Sequence, residues 1–145
     1  MSGLSAESVR TLESAGWFPG RRVDVTGLCA KLEGEGFVVH GVARRFLAEF
    51  SGLRIPAYEG GNTRAREAID FNPIRMVGED DRFIEWGQDV GEAITPIGEL
   101  DQGQFLLGIG ESSTIYSVIN WLGSFGSGIE GLENLILGVM PETIG

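Results

Sequence analysis

Residues 77–92, VGEDDRFIEWGQDVGE, hold the densest group of side chains in this chain that could do chemistry. Carboxylates can bind a cation, exchange a proton with a substrate or attract a basic partner. A calcium-binding loop has acids at alternating positions, a central glycine and a closing glutamate at the twelfth position. Glu79, Asp80 and Asp81 are adjacent instead, so their spacing does not predict a metal site.

The same stretch has the pattern of a helix that begins near Glu79. Acids in a first turn interact favourably with the positive end of the helix dipole, by about 0.3–1 kcal/mol each. A helix start does not explain the acids further along, because like charges four residues apart destabilise a helix by about 0.2–0.5 kcal/mol per pair. Two interpretations stay open, a solvated face or a surface for a basic partner. The acids concerned are Asp81, Glu85, Asp89 and Glu92.

Little else in the chain could perform catalysis. His40 is the only histidine, which excludes sites that need two, and no GxSxG motif is present. We predict a capping or surface role for His40. The stretch GIGESS (108–113) lacks the lysine of a phosphate-binding loop, and we interpret it as a hairpin turn. Glu99 and Asp101 could act as acid and base, but we expect them beside a turn, where acids are solvated. No catalytic residue, metal or cofactor is predicted.

Charge is distributed unevenly along the 145 residues, whose net charge is −10. Residues 1–82 contain all 11 lysine and arginine residues together with 12 acids, whereas residues 83–145 contain nine acids and neither lysine nor arginine. Nucleic acid affinity comes mainly from lysine and arginine, so we do not expect the C-terminal part to bind nucleic acid directly. A basic protein partner matches it in sign, and solubility alone is the other explanation.

Hydrophobic periodicity predicts helices in the N-terminal third and mostly strands afterwards. Ser5 and Asp24 are predicted N-caps, Gly52 ends the third helix, and Cys29 lies on an apolar helical face, which predicts a buried and inert thiol. The predicted helices span residues 5–15, 25–35, 42–50, about 79–90 and 129–137. The predicted strands span residues 53–58, 67–71, 94–100, 104–109 and 114–119. Residues 120–128 are predicted as a loop and residues 139–145 as a loose tail.

We expect a soluble, cytoplasmic protein. The first ten residues, MSGLSAESVR, have neither the basic region nor the apolar region of a signal peptide. The longest run without charge, residues 112–129, is rich in serine and glycine, so we do not expect it to cross a membrane.

Five segments together have a distinctive order and spacing. They are AGWFPGRRVD (15–24), FLAEFSGL (46–53), GEDDRFIEWGQDVG (78–91), ITPIGELDQGQFLLGIGESSTIYSV (94–118) and LENLILG (132–138). Across about residues 10–138, they resemble the SUKH superfamily, and within it the third subfamily of bacterial immunity proteins. The resemblance implies a single α+β domain over residues 1–145, with its core at about 5–138 and an antiparallel-rich sheet flanked by helices.

The resemblance also implies a function without catalysis. SUKH immunity proteins bind and neutralise a cognate toxin domain, often a nuclease, and nuclease toxins tend to be basic. The family's binding surfaces vary with the toxin, so its motifs do not locate the interface. The residues that match its recurring landmarks, and that we expect to be structural, are Trp17, Phe50, Gly52, Leu53, Trp86 and Gly98.

We therefore predict a toxin-neutralising binding protein with an acidic interface. One alternative is a regulatory or scaffold domain like the eukaryotic cell-wall regulators of the same superfamily, but those contain long disordered arms that these 145 residues lack. The other alternative is an enzyme acting on a small molecule. The residues predicted to contact the partner are Asp81, Glu85, Asp89, Glu92, Glu99, Asp101 and Glu111.

Overall fold

Three helices come first in the chain, and the strands follow them. The computed structural model describes residues 4–57, 68–73, 80–100, 104–118, 122–139 and 141–144. The helices in these ranges are α1 (Ala6–Ser14), α2 (Thr26–Gly34), α3 (Gly41–Phe50), α4 (Asp80–Val90) and α5 (Gly128–Leu137). The strands are β1 (Arg54–Ile55), β2 (Ile69–Asp70), β3 (Ile94–Leu100), β4 (Phe105–Gly110), β5 (Thr114–Val118), β6 (Leu122–Ser127) and β7 (Glu142–Thr143). Glu79 and the predicted loop at residues 59–66 lie outside the described residues.

The seven strands within the described ranges form one antiparallel sheet in the order β1-β2-β3-β4-β5-β6-β7. Each strand therefore pairs with its neighbour in the chain, and the β4–β5 connection is the hairpin turn that GIGESS predicts. Helices α3 and α4 pack against β3, and α5 packs against β6. This arrangement confirms the predicted α+β class with an antiparallel sheet and flanking helices.

The sequence prediction is wrong for two strands near the C-terminus. Residues 120–128 were expected to form a loop, but β6 pairs with β5, and its Leu122 and Phe125 are buried. Residues 139–145 were expected to be loose, but β7 pairs with β6, and the Ile144 backbone N–H donates to the Leu122 carbonyl at 2.8 Å. Glycine, which occurs twice in β6, has low strand propensity. The hydrogen bonds between strands use backbone groups, however, so residues of low propensity can form a strand when another strand lies beside them.

Side-chain hydrogen bonds cap the starts of α1 and α3. The Ser5 hydroxyl accepts from the Ser8 backbone N–H at 3.2 Å, as an N-cap does. The prediction of Asp24 as the N-cap of α2 is wrong by one residue, because Val25 takes the N-cap position and the helix begins at Thr26. Asp24 Oδ1 still accepts from the Thr26 N–H at 3.0 Å. His40 Nδ1 accepts from the Ala43 N–H at 3.1 Å and caps α3, which confirms the predicted capping role.

One apolar cluster joins the helices to the sheet, and it includes most of the family landmarks. The structure places Trp17, Phe50 and Leu53 in this core, and Trp86 packs half-buried against it. The Trp17 Nε1–H donates to Glu49 at 3.0 Å, so its polar atom is paired. Gly52 follows the end of α3 with a φ of +86°, which favours glycine. Cys29 is also fully buried, and burial raises the pKa of its thiol, as expected for an inert core residue.

Gly98 lies at the register shift between β3 and β4. It directly precedes Glu99, which pairs with Asp70 of β2. A Cβ atom at this position would lie 2.3 Å from the Asp70 carbonyl oxygen and 2.9 Å from the Phe71 Cα. These contacts are to backbone, which cannot rotate away as a flexible side chain can. The absence of a side chain at Gly98 therefore lets β2 and the following residue lie close against β3.

We expect Gly98→Ala to lower the free energy of unfolding by about 1–3 kcal/mol, because the added methyl group overpacks a rigid site. Gly27→Ala is the matched control, since a Cβ at this exposed position in α2 meets no atom within 4 Å. Alanine there should be neutral or stabilise the helix by up to about 1 kcal/mol. Urea unfolding of both variants measures the difference. Equal stability of the two would contradict the close approach at Gly98.

Candidate protein-binding surface

An exposed row of carboxylates runs along α4. Asp81, Glu85 and Asp89 are exposed at positions i, i+4 and i+8, and we call these three residues the acidic row. On the opposite side of the helix Phe83 is buried and Trp86 is half-buried. This apolar side packs against the sheet, which leaves the acidic row on the outer side. At about 1.5 Å rise per residue, the acidic row is about 12 Å long. The folded helix therefore presents it to solvent as one continuous strip.

Glu111 joins the same end of the molecule from a distant part of the sequence. It is exposed in the β4–β5 turn, and its Oε1 accepts from the Ala93 backbone N–H at 3.3 Å. Ala93 lies between the end of α4 and the start of β3. The antiparallel pairing of Ile94 with Gly110 brings these two segments together. The structure thus places Glu111 beside the C-terminal end of the acidic row.

Glu92 does not share this position, although the sequence grouped it with the acidic row. The helix ends at Val90, and the Glu92 side chain is half-buried against the β4–β5 turn. Its Oε1 accepts from the Ser112 backbone N–H at 2.7 Å, and its Oε2 accepts from the Ser112 hydroxyl at 2.8 Å and the Tyr116 hydroxyl at 2.6 Å. A Cβ at Gly110 would lie 2.3 Å from Glu92 Oε2, so glycine leaves room for the carboxylate. Both oxygens are therefore used inside the protein.

Burial and hydrogen bonding shift the pKa values of Glu92 and Tyr116 in opposite directions. Burial raises the pKa of Glu92, but the hydrogen bonds from Tyr116 and Ser112 together outweigh it, so its pKa lies below the ordinary value. Burial and the neighbouring carboxylate both raise the pKa of Tyr116 well above its ordinary value. At neutral pH the tyrosine therefore keeps its proton and the glutamate stays ionised. This is the arrangement of a structural clamp, which we call the Glu92 clamp, and it does not favour proton transfer between the two groups.

The prediction that Glu99 lies in solvent beside a turn is wrong. Glu99 belongs to β3 and is only 6% exposed. It lies opposite Asp70 in the β2–β3 pairing, within the sheet and not in a turn. Asp101, the acid predicted to accompany it, lies outside the described residues. Neither residue is included in the surface described below.

Two apolar side chains beside the acidic row were not predicted as surface residues. Ile84 on α4 is 42% exposed, and Val38, in the segment between α2 and α3, is 53% exposed. Ile84 has a signal in the sequence, because it lies between Asp81 and Glu85, away from the buried Phe83 side of the helix. Val38 has no equivalent signal, since the stretch FVVH is uniformly apolar up to the histidine.

The described residues contain no group of three or more histidine, cysteine, aspartate or glutamate side chains placed to hold a metal ion. Among the helices in these ranges, none combines the length and the apolar character that crossing a membrane requires.

We expect Glu92→Gln to destabilise the protein by about 1–3 kcal/mol at pH 7, because the charged acceptor of three hydrogen bonds is lost. Folding lowers the pKa of Glu92, so its ionised form contributes stability above the ordinary pKa of 4.5, and this contribution is lost as the pH falls through the folded-state value. The difference between wild type and Glu92→Gln should therefore shrink at pH 3.5. Urea unfolding at the two pH values measures it. Glu13→Gln, at an exposed site, is the control, and a pH-independent deficit in Glu92→Gln would contradict the clamp.

Comparison with known families agrees with this architecture. The family model described as SUKH-3 immunity protein matches residues 5–138, which include all five helices and the strands β1 to β6. No curated protein and no solved structure matches the chain. The family model covers most of the 145 residues and agrees with the five sequence segments noted above. The chain therefore belongs to the SUKH-3 immunity protein family.

Proposed function

We propose that this protein neutralises a cognate toxin domain by binding it directly through an acidic surface. The surface consists of the acidic row on α4 together with Glu111. The observation on which the proposal rests is the convergence of these exposed carboxylates at one end of the fold. Membership of an immunity protein family supports a toxin as the partner.

The charge of the surface favours a basic partner. Residues 83–145 contain neither lysine nor arginine. On α4 the basic residue is Arg82, near the start of the helix. Complementary charge speeds diffusional encounter and suppresses partners of the wrong sign. A nuclease domain fits this description, because lysine and arginine neutralise the phosphates of its substrate. We therefore propose a basic nuclease as the toxin class, met in the cytoplasm.

The partner itself can be tested by co-expression with the protein encoded by the adjacent upstream gene. We expect host cells to survive only when both proteins are made, and the two proteins to co-purify as a stable complex. Survival together with a complex would support neutralisation by direct binding. Cell death, with no complex formed by the folded protein, would contradict the proposal.

Reversal of two charges tests the surface. We expect Glu85→Lys/Asp89→Lys to slow association with the toxin domain by about tenfold or more at low salt, because steering charges are inverted. The difference should narrow as salt rises, since screening shortens the range of the field. These two positions suit the test because neither lies at the start of α4, and a lysine in its last turn is favourable to the helix dipole. Stopped-flow or surface-based kinetics at several salt concentrations measures the effect.

The matched control is Glu13→Lys/Glu35→Lys. It changes the net charge by the same amount at two exposed acids of the N-terminal third. If only net charge mattered, both double variants would associate equally slowly. Association of Glu85→Lys/Asp89→Lys at the rate of this control, with unchanged protection of cells, would place the interface elsewhere.

A further inference from the structure

A groove of about 400 Å³ lies between α4 and the segment that joins α2 to α3. Its floor is formed by Phe37 and Phe83, which are buried and pack edge to face, with ring centroids 5.5 Å apart and an interplanar angle of 85°. Such edge-to-face packing is a favoured aromatic geometry. The floor of the groove is therefore apolar and firmly packed.

The exposed side chains of Val38 and Ile84 line this groove, one from each wall. Single exposed apolar residues are normal on protein surfaces and need no explanation. These two differ because they share one concave site with an aromatic floor. On the other wall the lining residues Ile84, Gly87 and Gln88 lie on α4 with helical spacing, and Gly91 directly follows the helix.

The backbone of the Val38 wall is held in place by two hydrogen bonds to the sheet. The buried Thr95 hydroxyl donates to the Val38 carbonyl at 2.5 Å. His40 Nδ1 accepts from the Ala43 N–H, so its Nε2–H is the donor to the Ile109 carbonyl at 3.0 Å. The groove is therefore formed before any partner arrives, which lowers the entropy that binding would lose.

Carboxylates border the groove on two sides. Asp81 lies three residues before Ile84, and Glu85 lies three residues before Gln88, so the acidic row runs alongside the α4 wall. Glu111 lines the end formed by the β4–β5 turn. A segment that places an apolar side chain in the groove would need lysine or arginine next to it to match this border.

We infer that the groove receives a large apolar side chain from a basic segment of the toxin domain, and that this side chain anchors the complex. The inference rests on the proposed function and adds the residue class that the surface recognises. Buried apolar anchors in a central pocket with a polar border are the usual source of binding energy at interfaces. A second copy of this chain fits less well, because the net charge of −10 and two acidic borders would repel each other.

The test is the double variant Val38→Ser/Ile84→Ser, measured against the toxin domain encoded by the adjacent upstream gene. We expect koff to rise about tenfold or more, which corresponds to about 1.4 kcal/mol or more of binding energy, because both walls lose apolar contact with the anchor. The association rate and its salt dependence should stay at wild-type values, because no charge changes. The charge-reversal variant above should show the opposite pattern, with its main effect on kon.

The control is Phe18→Ser/Ile144→Ser, which removes apolar side chains that are 55% and 49% exposed and lie outside the groove. Both double variants should unfold at the urea midpoint of wild type, since they alter exposed side chains. If Val38→Ser/Ile84→Ser and the control release the toxin domain at the wild-type rate, the groove inference is wrong while the proposed function stands. If the wild-type protein forms no complex at all, the proposed function itself fails.

Sedimentation of the wild-type protein alone distinguishes the other occupant. We expect a monomer at micromolar concentration. A dimer that disappears in Val38→Ser/Ile84→Ser, with toxin release unchanged, would show that a second copy fills the groove and would overturn the inference.

Discussion

The antiparallel pairing of β3 with β4, and of β4 with β5, is the constraint on which the rest of the structure depends. It places Ile94 opposite Gly110, so the end of α4 and the β4–β5 turn lie side by side. The Glu92 clamp then joins the two segments with hydrogen bonds to Ser112 and Tyr116. Pairing stabilises a half-buried charged acceptor, so the clamp holds this end of the fold in one arrangement.

The acidic surface follows from that arrangement. Asp81, Glu85 and Asp89 belong to one helix, whereas Glu111 comes from a turn about twenty residues later, and the sheet brings them to one end. The same end contains the groove beneath Val38 and Ile84. Charge acts over about 8 Å at physiological salt, whereas apolar contact acts only on touching atoms. The two features are therefore suited to different steps of one encounter, attraction first and retention afterwards.

The Glu92 clamp also shows why acid content alone does not define an interface. Glu85 and Glu92 have the same side chain and lie within seven residues of each other. Glu85 is exposed on α4, while Glu92 has both oxygens occupied by internal donors. Glu99 is a further case, since it is buried within β3. The candidate surface consequently contains fewer acids than the composition suggests, and its position follows from backbone geometry.

The sequence by itself determined the features that depend on near neighbours. Helical spacing predicted the α4 faces, Ser5 was predicted as an N-cap, and His40 was predicted to have a capping or surface role, because these patterns involve residues within one or two turns. The strands rich in β-branched and aromatic residues were predicted for the same reason. Only the tertiary structure decided the roles of β6, β7, Glu92 and Glu99. Backbone ladders pair whichever residues lie beside them, and the burial of a carboxylate depends on strands distant in sequence, so no local pattern encodes either outcome.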